Sequence, residues 1–223
     1  MSEQGLTRTV FREQIKEVLL ERILDGAYQP GERIVETRVA REFGVSQGPV
    51  REALRELESL RLVESEPFRG ARVRAVRADE IAESYPVRAA LEELAAKLAA
   101  ERLAGAAAPL QAGIDAMRAA AVDGDLRAFV RHDVAFHRVF VEASANLTLV
   151  EVWQSLHVDL RTRFTLIQRL EDLAEVAESH VPIMRALDAG DAERAGRVVR
   201  EHIEGFGRWF AERGTESANP ERP

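Results

Sequence analysis

Apolar residues recur every three or four positions over the first sixty residues of the chain, which is the spacing of one face of an α-helix. They predict helices over about residues 9–24, 36–43 and 47–60. Ser46 suits the N-cap of the third helix, and Pro49 falls in its first turn, where a missing N–H costs little. The chain is therefore expected to begin with three helices.

Two short stretches of β-forming residues follow, at residues 62–65 and 72–76. The loop between them contains Pro67 and Gly70, which favour a turn. These features predict a β-hairpin, so the first part of the chain has the order helix, helix, turn, helix, hairpin.

From residue 78 the pattern is helical throughout. A long alanine- and leucine-rich helix is expected to begin at Asp79 and to be interrupted near Pro86. Its predicted core-facing stripe consists of Leu91, Leu94, Ala95 and Leu98. Further helices are predicted from Pro109 onward and over residues 126–143, 147–170, 172–189 and 192–213. We expect an all-α bundle over residues 78–213 and a polar, disordered tail over residues 214–223.

Composition narrows the class of protein. The 223 residues suit two small domains, and the absence of cysteine excludes disulfides and thiolate metal sites. No apolar run approaches the roughly 20 residues that span a bilayer, and residues 1–12 lack the apolar core of a signal peptide. We therefore expect a cytoplasmic protein without a membrane partner.

The net charge of −7 is divided unevenly between the two parts of the chain. Residues 1–77 hold 14 basic and 13 acidic side chains, whereas the remainder holds 17 basic and 25 acidic ones. A DNA-binding module needs one basic face rather than a basic chain. The candidates for such a face are Arg51, Arg55, Arg69, Arg72, Arg74 and Arg77.

A ten-residue run follows a turn at Pro30-Gly31 and reads Val45-Ser46-Gln47-Gly48-Pro49-Val50-Arg51-Glu52-Ala53-Leu54. With a glycine-containing segment at residues 68–73, it resembles the N-terminal domain of GntR-family regulators over about the first 76 residues. The resemblance implies a winged helix-turn-helix over residues 1–77 that binds double-stranded operator DNA. We expect a homodimer, because a two-fold symmetric protein reads near-palindromic DNA.

The expected DNA contacts lie on the third helix, the second helix and the wing, which is the glycine-containing segment at residues 68–73. A recognition helix enters the major groove by its N-terminal end, where Gln47 and Arg51 share one face. Arginine can bind guanine with two hydrogen bonds, and glutamine can bind adenine. The resemblance adds Thr37, Arg38, Arg69 and Gly70. GntR-family proteins usually carry arginine in place of Gln47, which leaves the operator sequence open, and the alternative for these arginines is a solvated face.

The second part of the chain resembles the FCD effector domain of FadR-like regulators, an all-α bundle. The matching residues are 87–92, 133–137, 179–180, 186–192 and 200–202. The resemblance implies that a divalent metal ion is bound by Asp133, His137, His180 and His202. It also implies that Arg88 points into an effector pocket and pairs with a carboxylate. The alternative for Arg88 is an ion pair with Glu92 on the same helix, and Pro86 could move it away from the pocket.

The residue types agree with such a metal site. Asp133 and His137 are four apart, so they project from one face of a helix, while His180 and His202 belong to two other helices. Three imidazoles and a carboxylate suit zinc, with nickel, iron and manganese as alternatives. The two remaining histidines are expected to be structural or solvated.

These predictions describe a repressor of transcription whose operator binding is controlled by a small carboxylic acid near a metal ion. A metal-responsive regulator, a purely structural metal and an effector that binds without metal remain as alternatives. A helical metal-dependent hydrolase would need a metal-binding histidine before position 132, and the chain has none there. It also lacks a His-Glu-x-x-His motif, a Walker-type loop and a nucleophile elbow, so we do not expect an enzyme.

Overall fold

The computed structural model describes residues 3–24, 26–66, 70–75, 78–169 and 172–217. The chain divides into two compact units, residues 1–77 and residues 78–223. Its secondary structure is mainly α-helical with one small sheet, which confirms the predicted fold class. Among the described residues, no helix has the length and apolar character needed to cross a membrane.

The first unit contains three helices and a three-stranded antiparallel sheet. The helices are α1 (Glu3–Leu24), α2 (Glu36–Phe43) and α3 (Gln47–Ser59), and the strands are β1 (Arg33–Ile34), β2 (Val63–Glu66) and β3 (Gly70–Val73). The strand order is β1-β3-β2, so β3 pairs with both of its neighbours. The first helix begins earlier than predicted and β3 ends earlier. β1 was not predicted, because two residues cannot show the alternation that marks a strand.

Completely buried apolar side chains hold the helices of this unit against its sheet. They come from α1, β1 and α3 and are Ile15, Leu19, Ile34, Val50 and Leu57. Burying a side chain of this size contributes roughly 1.5–3 kcal/mol. This core therefore fixes α3 relative to the hairpin formed by β2 and β3.

Two glycines with positive φ lie at the ends of segments that the sequence assigns to DNA contact. Gly44 ends α2 at φ 64°, and no atom lies within 4 Å of the place where a Cβ would stand. Gly70 begins β3 at φ 89°, and a Cβ there would lie 2.5 Å from the backbone oxygen of Ile34. Only glycine fits position 70 without displacing β1, because its backbone combines a left-handed conformation with a close approach.

The described residues of the second unit form helices joined by short turns, with no strand among them. Its helices are α4 (Ala78–Ala82), α5 (Ser84–Leu103), α6 (Ala108–Asp123), α7 (Leu126–Ala143), α8 (Leu147–Ser155), α9 (Val158–Arg169), α10 (Leu173–Glu178), α11 (Val181–Asp188) and α12 (Ala192–Ser217). The helix predicted from Asp79 breaks at Glu83. Pro86 then lies in the first turn of α5, where its missing N–H costs little.

Two other predicted helices are divided, and the last one is longer than predicted. The segment 147–170 breaks before α9 at His157, whose φ is 49°. The segment 172–189 breaks at His180, which precedes α11. α12 extends to Ser217, past the predicted domain end at residue 213, so the predicted tail is helical in its first four residues. The rest of that tail, residues 218–223, lies outside the described residues.

Alanines rather than leucines fill most of the buried face of α5, which corrects the predicted stripe for Leu94 and Leu98 and confirms it for Ala95, while Leu91 is half-buried. Leu94 and Leu98 are 46% and 40% exposed, respectively. The completely buried alanines are Ala89, Ala95, Ala96, Ala99 and Ala100. Small side chains let α12 lie close against α5, and a Cβ on Gly207 would come within 2.6 Å of the Cβ of Tyr85. A long leucine has no room on that face, so the leucines point outward.

Candidate functional site

The second unit brings four of the predicted residues to one place. Asp133 and His137 lie on α7, His180 lies between α10 and α11, and His202 lies on α12. One ring nitrogen from each histidine lies within 4.8 Å of the corresponding nitrogen in the other two. Nε2 of His180 also lies 3.1 Å from Oδ1 of Asp133. The structure thus gathers the predicted ligand set from three separate segments of the chain.

Aromatic side chains of α7 hold this cluster in position. Phe129, Phe136 and Phe140 are completely buried and anchor the helix face that carries the cluster. The ring of Phe136 meets the ring of His180 edge-on, with centroids 4.9 Å apart. Asp125 caps the start of α7 by accepting a 2.9 Å hydrogen bond from the backbone N–H of residue 128. The orientation of the α7 ligands is therefore set by packing and by capping.

Each histidine of the cluster uses Nδ1 for a hydrogen bond to the protein. Nδ1 of His137 lies 2.5 Å from Oε2 of Glu92, and Nδ1 of His180 lies 2.9 Å from the backbone oxygen of Val176. Nδ1 of His202 lies 3.2 Å from Oγ of Ser179. The hydroxyl of Ser179 donates its own proton to the backbone oxygen of Val176. All three partners accept, so each Nδ1 carries the proton and each Nε2 keeps a lone pair.

Three buried polar atoms of the cluster have no hydrogen-bond partner in the protein. They are Nε2 of His137, Nε2 of His180 and Oδ2 of Asp133. The 3.1 Å approach of His180 to Asp133 is close, but it does not have the geometry of a hydrogen bond. Leaving a buried polar atom unsatisfied costs roughly 1–3 kcal/mol. A divalent cation would satisfy all three, and nitrogen ligands with one carboxylate suit zinc and its neighbours.

The electrostatics of the cluster keep its groups in the protonation states that a cation needs. Burial would raise the pKa of Asp133, but the histidines and the arginine around it lower that pKa to about 2. Burial would likewise raise the pKa of Glu92, but the charge of Arg88 and the hydrogen bonds from His137 and Trp153 lower that pKa to about 2. Burial lowers the pKa of His202 well below its usual value, and the positive charge of Arg88 adds to this. Both carboxylates are therefore ionised and His202 is neutral at neutral pH.

Arg88 lies beside this cluster in the wall of a small cavity. It is 6% exposed, and its Nε donates a 2.7 Å hydrogen bond to Oε1 of Glu92. Its Nη1 donates a 3.2 Å hydrogen bond to Oγ1 of Thr162. The cavity has a volume of about 10 Å³ and is lined by Tyr85, Arg88, Asp133, Thr162, Thr165, Leu166, Val176, His202, Ile203 and Phe206. Both interpretations of Arg88 thus have support, since it pairs with Glu92 and also faces the cavity, and Pro86 has not moved it away.

Several polar residues of the site were not identified from the sequence as parts of it. Glu92 was considered only as a partner for Arg88, yet it also receives a 2.7 Å hydrogen bond from Nε1 of Trp153. In the cavity wall, the hydroxyl of Tyr85 lies 2.5 Å from that of Thr165. A second charged residue one turn after Arg88, on a helix face that continues with alanines, is the signal that could have identified Glu92. The hydroxyl residues gave no such signal, because serine, threonine and tyrosine occur on every kind of surface.

The two histidines assigned no metal role lie outside the cluster. His132 and His157 are each half-buried, and neither belongs to the group whose ring nitrogens approach one another. His132 neighbours Asp133 in sequence but points about 100° away from it on α7. The helix period therefore separates His132 from the ligand positions of α7, as the spacing suggests, while His157 lies between α8 and α9.

Four candidate DNA contacts of the first unit, on α2 and α3, lie at exposed positions. Gln47 is the first residue of α3, and Arg51 follows one turn later with 53% of its side chain exposed. Thr37 and Arg38 are exposed in the first turn of α2. Gly70 begins β3, whereas the predicted wing contact Arg69 lies outside the described residues. Ser46 occupies the N-cap of α3, but its side chain makes no capping hydrogen bond.

An ion pair holds Arg51 in place. Its Nη2 donates a 2.8 Å hydrogen bond to Oε2 of Glu36, and its Nε donates a 3.3 Å bond to Oε1. Glu36 is the first residue of α2, so the pair links the two helices of the helix-turn-helix. A groove of about 210 Å³ borders the pair and is lined by Glu36, Arg51, Leu54, Arg55, Ser65, Gly70 and Ala71. This groove runs between α3 and the hairpin.

Part of the predicted basic face serves the fold of the hairpin. Arg72 donates a 2.5 Å hydrogen bond to the backbone oxygen of Gly31, and Arg74 donates one of 2.9 Å to that of Arg61. Arg55 is exposed on α3, and Arg77 lies outside the described residues. Of the described arginines of this face, Arg72 and Arg74 thus brace the hairpin, while Arg51 and Arg55 lie exposed on α3.

Both units match families of known proteins. Residues 11–73 match the family described as bacterial regulatory proteins of the gntR family. Residues 83–205 match the FCD domain, which covers more than half of the chain. These matches confirm the resemblance drawn from the sequence for each part of the chain.

Similar proteins of known description are bacterial transcriptional regulators. The chain is 36% identical over 205 residues to a probable D-xylose utilization operon transcriptional repressor of Paenarthrobacter nicotinovorans, which covers 92% of this chain and 91% of that protein. It is 29% identical over 180 residues to the gluconate operon transcriptional repressor of Bacillus subtilis (strain 168), covering 76% and 72%, respectively.

Solved structures share the fold. The structure of E. coli McbR/YncC superposes with a TM-score of 0.71 at 24% identity and covers 91% of this chain and 98% of that one. A GntR regulator from Rhodococcus sp. RHA1 gives a TM-score of 0.70 at 24% identity, covering 90% and 97%. With the family matches and the geometry of both units, these findings show that the chain belongs to the GntR family of bacterial regulatory proteins, with a C-terminal FCD domain, and is a DNA-binding transcriptional regulator rather than an enzyme.

Proposed function

We propose that this protein represses transcription from operator DNA as a cytoplasmic homodimer, and that a small carboxylic acid bound beside a divalent metal ion controls that binding. The observation that carries the proposal is the set of unpartnered buried atoms on His137, His180 and Asp133, next to a cavity that contains a buried arginine. Repression is supported by the names of the relatives from Paenarthrobacter nicotinovorans and Bacillus subtilis.

The metal ion would be held by Asp133, His137, His180 and His202. When bound, it would act as a Lewis acid that attracts an oxygen atom of the effector. The protein supplies the rest of the recognition. Arg88 can bind a carboxylate with two hydrogen bonds, and the hydroxyl groups in the cavity wall can bind further oxygens of the acid.

The size of the cavity suggests how binding becomes a signal. A volume of about 10 Å³ holds roughly one water molecule, so an organic acid enters only if the side chains around it move apart. The acid therefore binds an expanded form of the second unit better than the form described here. Preferential binding to one form shifts the population toward it, and we expect that form to release the operator.

The relatives point to the chemical class of the effector. One is named for a gluconate operon and another for D-xylose utilization. Gluconate is a polyhydroxy acid, and a cavity that combines an arginine with three hydroxyl side chains suits such a molecule. An acid effector gives the guanidinium of Arg88 a ligand in the cavity in addition to its ion pair with Glu92, which favours the acid sensor over a metal-responsive regulator or a purely structural metal.

The outward face of α5 supports the homodimer. Val87, Leu94 and Leu98 are 48%, 46% and 40% exposed and repeat at helical spacing. An apolar helix face of this kind suits packing against a second copy. We expect the parent protein to sediment as a dimer and Leu94→Glu to sediment as a monomer, while Val122→Glu, at an apolar position on α6 that is 87% exposed, stays dimeric. A monomeric parent, or a dimeric Leu94→Glu, would contradict this.

Two measurements test the metal and the acid. Elemental analysis of untagged protein should find metal in the parent and in His132→Ala, and little in His137→Ala, although both histidines lie on α7. Fluorescence anisotropy with DNA from upstream of the protein's own gene should show specific binding that one acid of a panel weakens. The panel contains D-gluconate, D-xylonate, citrate and acetate. Equal metal content in all three proteins, or an acid effect that survives chelation, would overturn the proposal.

A further inference from the structure

One carboxylate joins the acid-binding and metal-binding halves of the candidate site. Glu92 lies on the alanine face of α5 and is completely buried. Its Oε1 accepts hydrogen bonds of 2.7 Å from Nε of Arg88 and from Nε1 of Trp153. Its Oε2 lies 2.5 Å from Nδ1 of His137. Glu92 therefore contacts side chains of α5, α7 and α8 at the same time.

We infer that Glu92 is a positioning residue that couples the acid site at Arg88 to the metal site at His137. The inference rests on the proposed function, since it assigns a role toward the metal ion and acid proposed above. Glu92 itself touches neither of them. It acts through the two side chains that do.

The contact with His137 sets where that ring carries its proton. An ionised carboxylate only accepts, so it holds the proton on Nδ1 and leaves the lone pair on Nε2. Nε2 is the atom without a partner that faces the other ligands. Removing such an outer partner of a metal-binding histidine typically lowers metal affinity about 10- to 100-fold.

The contact with Arg88 sets the place of the guanidinium. Glu92 holds the Nε edge, and Nη1 reaches Thr162 in the cavity wall. Because one carboxylate serves both Arg88 and His137, a movement of Arg88 toward an acid changes the hydrogen bonding of the carboxylate that orients His137. Acid and metal should therefore influence each other's affinity through Glu92.

A purely structural role explains this residue less well. Beyond Tyr85 and Arg88, the buried face of α5 is alanine, and a buried ion pair is on average no more stable than apolar side chains of similar volume. A charge at this position is thus unnecessary for packing α5. The three donors to Glu92 are Arg88, His137 and Trp153, so its carboxylate joins the proposed acid site to the proposed metal site.

The variant Glu92→Gln separates the two roles, because it keeps the shape and removes the charge. The amide nitrogen must face one set of donors, and His137 offers one donor whereas Arg88 and Trp153 offer two. We expect the nitrogen to face His137, whose proton then moves to Nε2. The matched control is Glu93→Gln, the next residue of α5, which pairs at the surface with Arg200 and Lys97 instead.

Two readouts are compared in the parent and both variants. Long-range ¹H–¹⁵N spectra of histidine-labelled, metal-free protein report which nitrogen of His137 carries the proton. Competition titrations with a chromogenic chelator report the affinity for Zn²⁺. We expect Glu92→Gln to move the proton to Nε2 and to weaken Zn²⁺ binding about 10- to 100-fold, and Glu93→Gln to change neither.

The outcomes distinguish this inference from the proposed function. If His137→Ala loses Zn²⁺ while Glu92→Gln keeps the parent's affinity or the parent's proton position, the inference about Glu92 is overturned and the metal site stands. If His137→Ala binds Zn²⁺ like the parent, both are overturned. Should Glu92→Gln fail to fold, the parent spectrum still decides, because a proton on Nε2 of His137 in the parent contradicts the role given to Glu92.

Discussion

Replacing Gly70 by alanine should weaken the first unit far more than the same change at Gly44. Both glycines have positive φ, 89° and 64°, so each alanine would bear the cost of a left-handed conformation, about 1–2 kcal/mol. Gly44 has open space around the new Cβ, whereas the Cβ at position 70 would lie 2.5 Å from the backbone oxygen of Ile34. Moving β1 to relieve that contact should cost about 1–3 kcal/mol more.

The expected totals are therefore about 1–2 kcal/mol for Gly44→Ala and about 2–5 kcal/mol for Gly70→Ala. Hydrogen exchange of the amides that join β1 to β3 measures this locally. The N–H groups of Gly31 and Val73 bond across these strands, so their exchange reports the opening of the sheet. A cost of 2 kcal/mol corresponds to about 30-fold faster exchange.

Operator affinity gives a second measurement of the same pair. Gly70→Ala should reduce specific binding because it displaces the start of the wing, while Gly44→Ala should leave the wing in place. If the two variants exchange at equal rates and bind the operator equally, the close approach of Gly70 to β1 is not what fixes the wing, and the reasoning is refuted.

Three further predictions concern metal, DNA and pH. Chelation should lower the melting temperature of the second unit by roughly 8–16 °C, since metal at a thousand times its Kd adds about 4.1 kcal/mol to the free energy of unfolding. The melting temperature of His137→Ala should not respond to chelator. In anisotropy assays, Arg51→Ala should weaken specific operator binding by about 1–3 kcal/mol with little change on unrelated DNA. Glu36→Ala should weaken operator binding less, because Arg51 remains and loses only its ion pair with Glu36. Equal losses on both DNAs would contradict base reading by Arg51. The pKa of His202 is lowered in the folded state, so its contribution to stability is complete above about pH 6.5 and is lost as the pH falls below that value. Metal-free protein should therefore melt at a lower temperature at pH 5 than at pH 7. His202→Gln should lessen that difference.

The sequence predicts the fold well where one signal dominates. α2, α3 and α7 match their predicted bounds within a residue, because each has a clear apolar face and a local signal at one end. Gly44 ends α2, Pro49 lies in the first turn of α3, and Asp125 caps α7. The ligand set was predicted because the i,i+4 pair on α7 and the two later histidines stand at positions that the resemblance assigns to metal.

Other features depend on contacts between distant segments and could not be read from one stretch of chain. Leu94 and Leu98 are strongly apolar, yet the close approach of α12 leaves room only for alanine on the buried face of α5. Hydrophobicity alone cannot tell a face that packs closely from one that remains exposed or meets a partner. The break at His157 carries no glycine, so local propensity gave no sign of it. Pro182 does indicate that His180 stands at a helix start, where the structure places it, although the helix predicted over residues 172–189 ran through that position.

Glu92 shows a different limit. The sequence places it four residues after Arg88, which explains why their ion pair was foreseen as an alternative. Its contacts with His137 and Trp153 join residues 45 and 61 positions apart, and no local pattern indicates them. Buried polar groups are decided by which partners the fold supplies, so their roles become visible only in the structure.

The measurement that tests the central claim most directly is the affinity of the zinc-loaded protein for an acid such as D-gluconate, with and without saturating operator DNA. If acid binding controls operator binding, the two affinities are linked, and DNA must weaken acid binding by the same factor by which acid weakens DNA binding. We expect a factor of about 5 to 150, and no measurable linkage after chelation or in Arg88→Ala. An acid affinity that is the same with and without DNA would contradict the account.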